Sequence, residues 1–145
     1  MICCFFGHKD APSSIYDKLE EAIERTIAED GVTEFLVGNQ GKFDSMALKA
    51  LRRMKEKYPH ISYNIVLAYM PAEKEEWHPY EFGETMLPEG IESVHPRYVI
   101  SWRNKWMVNE SDVVIAYITH SWGGAARYTE TAAKKGKQII SIACV

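Results

Sequence analysis

Residues 113–118 form an unbroken apolar run, followed by the polar loop Thr119-His120-Ser121-Trp122, the pair Gly123-Gly124 and a helix-forming stretch. This succession constrains the fold more than any other feature of the chain. A strand with no polar alternation has to be covered on both faces, as in a parallel sheet flanked by helices. The glycine pair permits a tight turn and lets a ligand approach the backbone closely. The stretch 125–135 is rich in helix formers and stops at Gly136, a residue suited to a helix C-cap. A glycine loop opening a helix after such a strand presents free N–H groups that suit a phosphate or another anion.

The same alternation of strand and helix runs through the chain. Residues 1–6 read as a first strand. Ser13 or Ser14 is placed to cap a helix reaching about residue 29, with Ile15, Leu19, Ile23 and Ile27 on one face. Residues 34–37 read as a second strand. A second helix is expected over 44–57, capped by Asp44, with Ala47, Ala50, Leu51 and Met54 inward and Pro59 as its stop. Residues 61–69 read as a third strand, and 98–109 as a third helix carrying Val99, Trp102 and Trp106. The opening run is then the fourth strand, and 138–144 the fifth. The expected fold is α/β: a Rossmann-like three-layer sandwich around a parallel five-stranded sheet of order 3-2-1-4-5, the arrangement that right-handed crossovers make simplest. Residues 70–97 stand apart, with Pro71, Pro79, Pro88 and Pro96 among many acidic side chains. They are too long for a plain connection and too poor in apolar residues for a second domain, so they read as an irregular insertion, a lid or a binding loop. The 145 residues fit one domain over 1–145.

Charge and composition exclude several classes. The net charge of −3 argues against nucleic acid or an anionic membrane as partner. No apolar run approaches the roughly 20 residues that span a bilayer. The apolar N-terminus has no basic leader and is expected to be the first strand of a cytoplasmic protein. Cys3, Cys4 and Cys144 all sit in apolar runs and read as small core residues. No dinucleotide fingerprint or P-loop pattern occurs, no HxH or HxxxH spacing suggests a metal, and Ser121 lies outside a GxSxG context. No cofactor is expected.

In a sheet of this kind, ligands bind beyond the carboxyl ends of the strands at the point where the strand order reverses. Three loops meet there: 7–12, 38–44 and 119–124. The candidate binding residues are therefore Gly7, His8 and Lys9; Gly38, Asn39, Gly41 and Asp44; and Gly123, Gly124, Ala125 and Arg127. Arg127 and Glu130 share a helix face with Gly123 and Ala126 and point to the ligand side; equally, Glu130 can pair with Lys134 on a solvated face. Arg103, between Trp102 and Trp106, can clamp a phosphate or stack on a base; equally, the tryptophans can fill the core with Arg103 outward.

Gly123-Gly124-Ala125-Ala126-Arg127-Tyr128-Thr129-Glu130 resembles the GGxGTxxE signature of the SLOG superfamily, which includes the LOG phosphoribohydrolases and the DprA/Smf proteins. Arg103-Asn104 with Met107 and Ser111-Asp112 is similar to the segment that precedes the same strand in the YpsA-like branch. Gly7-His8-Lys9 and Gly41-Lys42-Phe43-Asp44 with Ala47 look like that branch's opening and second loops. The resemblance implies a Rossmann-like domain that binds a nucleotide or nucleotide-derived ligand, with Asn104 beside the site. Carried over from the LOG enzymes, Arg103 and Glu130 would be the catalytic pair in releasing base from a nucleoside monophosphate. Here Ala126-Arg127 stands where the signature has Gly-Thr, Trp122 stands where it has Pro, and Lys105 does not directly follow Arg103. Three readings stay open: a phosphoribohydrolase, a non-catalytic nucleotide sensor and, more remotely, a DNA-processing accessory protein. Trp102 and Trp106 are left over for a homo-oligomer, which the resemblance also implies.

Overall fold

A computed structural model describes residues 1–70 and 80–143. Pro71, His78, Pro79 and Cys144 lie outside the described residues. The elements are β1 (Ile2–Gly7), α1 (Tyr16–Ala28), β2 (Glu34–Val37), α2 (Lys42–Lys57), β3 (Ser62–Val66), β4 (Thr85–Met86), α3 (Val99–Glu110), β5 (Val113–Tyr117), α4 (Gly124–Lys134) and β6 (Gln138–Ser141). All strand pairs are parallel, in the order β4-β3-β2-β1-β5-β6.

Alternate residues of each central strand feed opposite faces, as the period of two demands. Cys3 and Phe5 of β1, Phe35 and Val37 of β2, and Val113 and Ile115 of β5 pack with Leu19, Ile23 and Ile27 of α1 and Ala47, Leu51 and Met54 of α2. Cys4 and Phe6, Leu36, and Val114 and Ala116 pack on the other face with Met107 and Val108 of α3 and Tyr128 and Ala132 of α4. This is the expected three-layer, Rossmann-like sandwich. Cys3 and Cys4 are fully buried, and burial pushes the Cys4 thiol up to about 12, so it stays protonated and inert.

Four local expectations are corrected. The sheet has six strands, because Thr85–Met86 inside the irregular insertion pairs with Ile65 and Val66 of β3. β3 is shorter than expected, ending at Val66. Ser13 and Ser14 do not cap α1: they form a 3-10 turn, Ser13–Ile15, that runs straight into the helix with no side-chain cap bond. Asp44 is not the N-cap of α2 either, since that helix starts at Lys42 with Gly41 as its cap residue.

What holds the sixth strand is a buried carboxylate. Glu84 Oε1 and Oε2 accept from Arg52 Nη2 and Nε at 2.6 and 2.8 Å, and Oε1 also accepts the Glu81 N–H at 2.7 Å. The Tyr63 hydroxyl donates to the same carboxylate. The Arg52 fork is the main cause holding the Glu84 pKa down at about 2. Its contribution to stability is therefore present above the ordinary carboxylate pKa and is lost as pH falls toward 2. Glu84→Ala would leave the half-buried Arg52 and Tyr63 without this partner. We expect a loss of about 3 kcal/mol, read as a lower urea midpoint at pH 7.

Candidate functional site

The carboxyl ends of β1 and β5 and the starts of α3 and α4 surround a cleft of about 980 Å³. Its position is the one the topology requires, because β1 lies between β2 and β5 where the order reverses. Of the expected residues, Gly7, His8, Lys9, Gly38, Asp44, Arg103, Asn104, Gly123, Gly124, Ala125, Arg127 and Glu130 line it. Asn39 and Gly41, expected as binding residues, do not line it: Asn39 Oδ1 accepts from Arg103, and Gly41 lies against the Lys9 backbone.

Arg103 is the central side chain. It is 1% exposed, the largest fully buried side chain among the described residues. The alternative with Arg103 pointing outward is thus set aside; Trp102 and Trp106 are only half-buried and pack against their own chain. Nη1 donates to Asn39 Oδ1 at 3.0 Å and to the Val66 carbonyl at 2.9 Å, and Nε donates to Asn104 Oδ1 at 3.0 Å. These acceptors are neutral, and Arg103 forms no ion pair among the described residues. Burial lowers its pKa, while Asp44 opposes that shift. The sequence carried a signal for this placement. Val99, Arg103 and Met107 repeat every four residues, so the arginine occupies the middle of a buried stripe.

Asp44 and Arg103 meet over Gly38: a Cβ there would lie 2.9 Å from Asp44 Oδ2 and 3.5 Å from Arg103 Nη1. Asp44 Oδ2 accepts the Gln40 N–H at 2.8 Å, closing the loop before α2 from inside the helix. Desolvation raises its pKa to about 6, against the Gln40 bond and the Arg103 charge. Because the folded-state pKa is raised, the stability contributed by the protonated form is present at low pH and is lost as pH rises through about 6. Asp44→Asn keeps an oxygen for Gln40 and removes that loss. We expect its stability relative to the unmodified protein to rise between pH 4 and 7 by about 2 kcal/mol, checked by urea unfolding at both pH values.

The first two loops are stitched together. The Lys42 N–H donates to the Lys9 carbonyl at 2.8 Å, and Gly41 lies against the Lys9 backbone. A Cβ on Gly7 would lie only 2.2 Å from the Phe43 ring, so that glycine lets α2 pack on the end of β1.

The third loop ends at Gly123, the N-cap residue of α4, with φ 95° and ψ 169° and no side-chain cap. Only glycine adopts that conformation without strain. The N–H groups at the start of α4 therefore open onto the cleft with the positive end of the helix dipole behind them. Arg127 and Glu130 are exposed on the rim. Glu130 Oε1 lies 3.0 Å from Lys134 Nζ, with the two side chains 67% and 75% exposed. The pairing on a solvated face is thus the one observed.

His8 and His120 add an aromatic element, of which the sequence pointed only to His8 as a binding residue. His8 Nε2 accepts the Thr119 N–H at 3.0 Å, and burial with the neighbouring His120 lowers its pKa, so it is held neutral. Ser101, His120, Trp122 and Tyr128 also line the cleft and were not among the expected residues. Ser101 Oγ and the Tyr128 hydroxyl are 2.7 Å apart. His120, Trp122 and Tyr128 fall within the loop and motif that the sequence placed at the site, though not among the residues singled out there, and Ser101 comes from α3. Among the described residues no group of three or more His, Cys, Asp or Glu could hold a metal ion, and no helix is long and apolar enough to cross a membrane.

The fold is shared with solved structures. DNA processing protein A (DprA) from Streptococcus pneumoniae superposes with a TM-score of 0.72 at 13% identity, over 96% of this chain and 49% of that one. DNA processing protein A from Helicobacter pylori, described for its single-stranded DNA binding mode, superposes with a TM-score of 0.60 at 15% identity, over 97% and 64%. The chain thus spans about half of the first of these proteins and under two thirds of the second, and at these identities the likeness is one of fold. No curated protein matches the chain. Over residues 2–144 it matches the YspA SLOG family, and it belongs to that family.

Proposed function

We propose that the cleft binds a nucleotide or nucleotide-derived ligand through its phosphate, and that the protein acts as a binding module rather than as a hydrolase. The observation that carries this reading is Arg103, a buried guanidinium at the wall of a cleft, held by neutral acceptors and without an ion-pair partner among the described residues. Asp44 offsets only part of the desolvation of this cation, and an anion in the cleft would offset more. The uncapped start of α4 lines the same cleft, and Arg127 stands on its rim. Phosphate is the anion that answers both a guanidinium and a helix N-terminus.

The exposure of Glu130 and its pairing with Lys134 favour binding over turnover. A carboxylate that stabilises an oxocarbenium-like charge works best in a dry, fixed setting. The neighbour in fold described for its single-stranded DNA binding mode supports a second reading, in which the base and phosphate belong to a single strand; this weighs against the exclusion of nucleic acid drawn from net charge.

The test is a thermal-shift screen with nucleoside monophosphates, combined with chromatography for free base and an anisotropy titration with a labelled oligodeoxythymidylate. A rise in Tm of about 5–10 °C at saturating monophosphate, without base release, is the expected result. Base release would make the protein a phosphoribohydrolase, with Glu130→Gln the next variant to assay. Nanomolar strand binding at physiological salt with no monophosphate response would move the reading to DNA.

A further inference from the structure

A column of three rings stands in the cleft. The His8 and His120 rings stack with centroids 3.6 Å apart and planes 17° from parallel. His120 stacks in turn on Trp122, at 3.8 Å and 18°. The inner end is fixed by the bond from the Thr119 N–H to His8 Nε2. The middle ring is fixed by a 3.0 Å bond between His120 Nδ1 and the Trp122 carbonyl oxygen. The column thus runs from a buried imidazole to an indole that is 69% exposed, and all three residues line the cleft.

An indole left this open is uncommon, since tryptophan is highly buried on average and its large apolar face gains most from leaving water. Here one of its faces packs on the His120 ring, which is itself stacked on His8. A rigid, exposed aromatic face is what a planar ligand ring needs, because little conformational freedom is lost when the two stack. Trp122 directly precedes Gly123, the residue that opens α4. The platform is therefore adjacent in the chain to the N–H groups assigned above to a phosphate, as a ligand with a ring at one end and a phosphate at the other would require.

We propose that the His8–His120–Trp122 column is a base-stacking subsite, which receives the heteroaromatic ring of a nucleotide on the Trp122 face. The proposal rests on the reading of the cleft as a phosphate site and adds the part that recognises the base. Stacking on an indole uses the π-face that every base has, so this subsite accepts bases broadly and favours the larger purine ring over a pyrimidine.

Binding of adenosine 5′-monophosphate and of ribose 5-phosphate to the unmodified protein, Trp122→Ala and Trp122→Phe tests this by calorimetry. The expected result is that Trp122→Ala weakens the nucleotide by about 10-fold or more, leaves ribose 5-phosphate unchanged, and is largely rescued by Trp122→Phe. Trp122 is exposed, so both variants should keep the melting temperature of the parent. Equal affinities for the two ligands in the unmodified protein, or an equal loss of both in Trp122→Ala, would overturn the base subsite while leaving the phosphate site standing. Failure of both ligands to bind the unmodified protein would overturn the phosphate reading itself, and the subsite with it.

Discussion

Arg103→Met is expected to weaken binding of a nucleoside monophosphate by about 100-fold while changing the melting temperature little. The affinity falls because a charge-assisted contact in a desolvated cleft is lost, and the other cations lining it, Lys9 and Arg127, are exposed rather than held in place like the guanidinium on Asn39, Asn104 and the Val66 carbonyl. Stability changes little because two effects oppose each other. Three acceptors lose their donor, at a cost of about 1 kcal/mol each. Against that, the desolvation of a buried cation is relieved and Met fills much of its volume within the Val99–Met107 stripe, while Asp44 loses a charge that favours its ionised form. Arg103→Lys keeps the charge but not the planar fork, so it restores only part of the affinity. The measurement is a pair of calorimetric titrations with a denaturation curve for each variant. A large drop in stability with unchanged affinity would mean that Arg103 is structural.

Gly41→Ala is expected to be strongly destabilising. Gly41 has φ 95° and ψ −172°, a conformation essentially confined to glycine. An added Cβ would also lie 2.6 Å from the Lys9 Cα, which is backbone and cannot swing away. Strain and clash together should cost about 3 kcal/mol or more, a fall in Tm of roughly 6–12 °C. The bond from the Lys42 N–H to the Lys9 carbonyl would break as the two loops separate, so ligand affinity should fall as well. Gly123→Ala is the informative comparison. Its φ is also 95°, but nothing lies within 4 Å of the added Cβ. Only the strain remains, about 1–3 kcal/mol.

The order of elements and the location of the cleft were legible because they follow from local pattern. The Ile15-Leu19-Ile23-Ile27 stripe, the apolar strands 2–6 and 113–117, and the glycines after three strands each act over a few residues, and the topology then brings the loops together. The sixth strand was not legible. Thr85–Met86 is only two residues long, and it is held by Glu84 reaching Arg52 and Tyr63, which lie 32 and 21 positions away. In sequence, Glu84 is one acid among many in a loop. The roles of Asp44 and the helix-opening serines were misread for a related reason. A capping residue type shows that a helix starts nearby, but which residue turns the chain depends on the glycine that permits the turn, and at α2 that is Gly41. Glu130 shows the limit of a motif. Spacing brought it to the rim of the cleft, and its partner there is Lys134. The ring column lay beyond local reading because it joins a residue after β1 to residues after β5, over a hundred positions apart.

The account turns on whether the cleft recognises a phosphate through Arg103. The most direct measurement is a calorimetric comparison of adenosine 5′-monophosphate with adenosine on the unmodified protein and on Arg103→Met. The account predicts that the monophosphate binds the unmodified protein at least about 10-fold more tightly than the nucleoside, and that the difference disappears in the variant. Equal binding of nucleoside and nucleotide by the unmodified protein, or full affinity for the monophosphate in Arg103→Met, would contradict it.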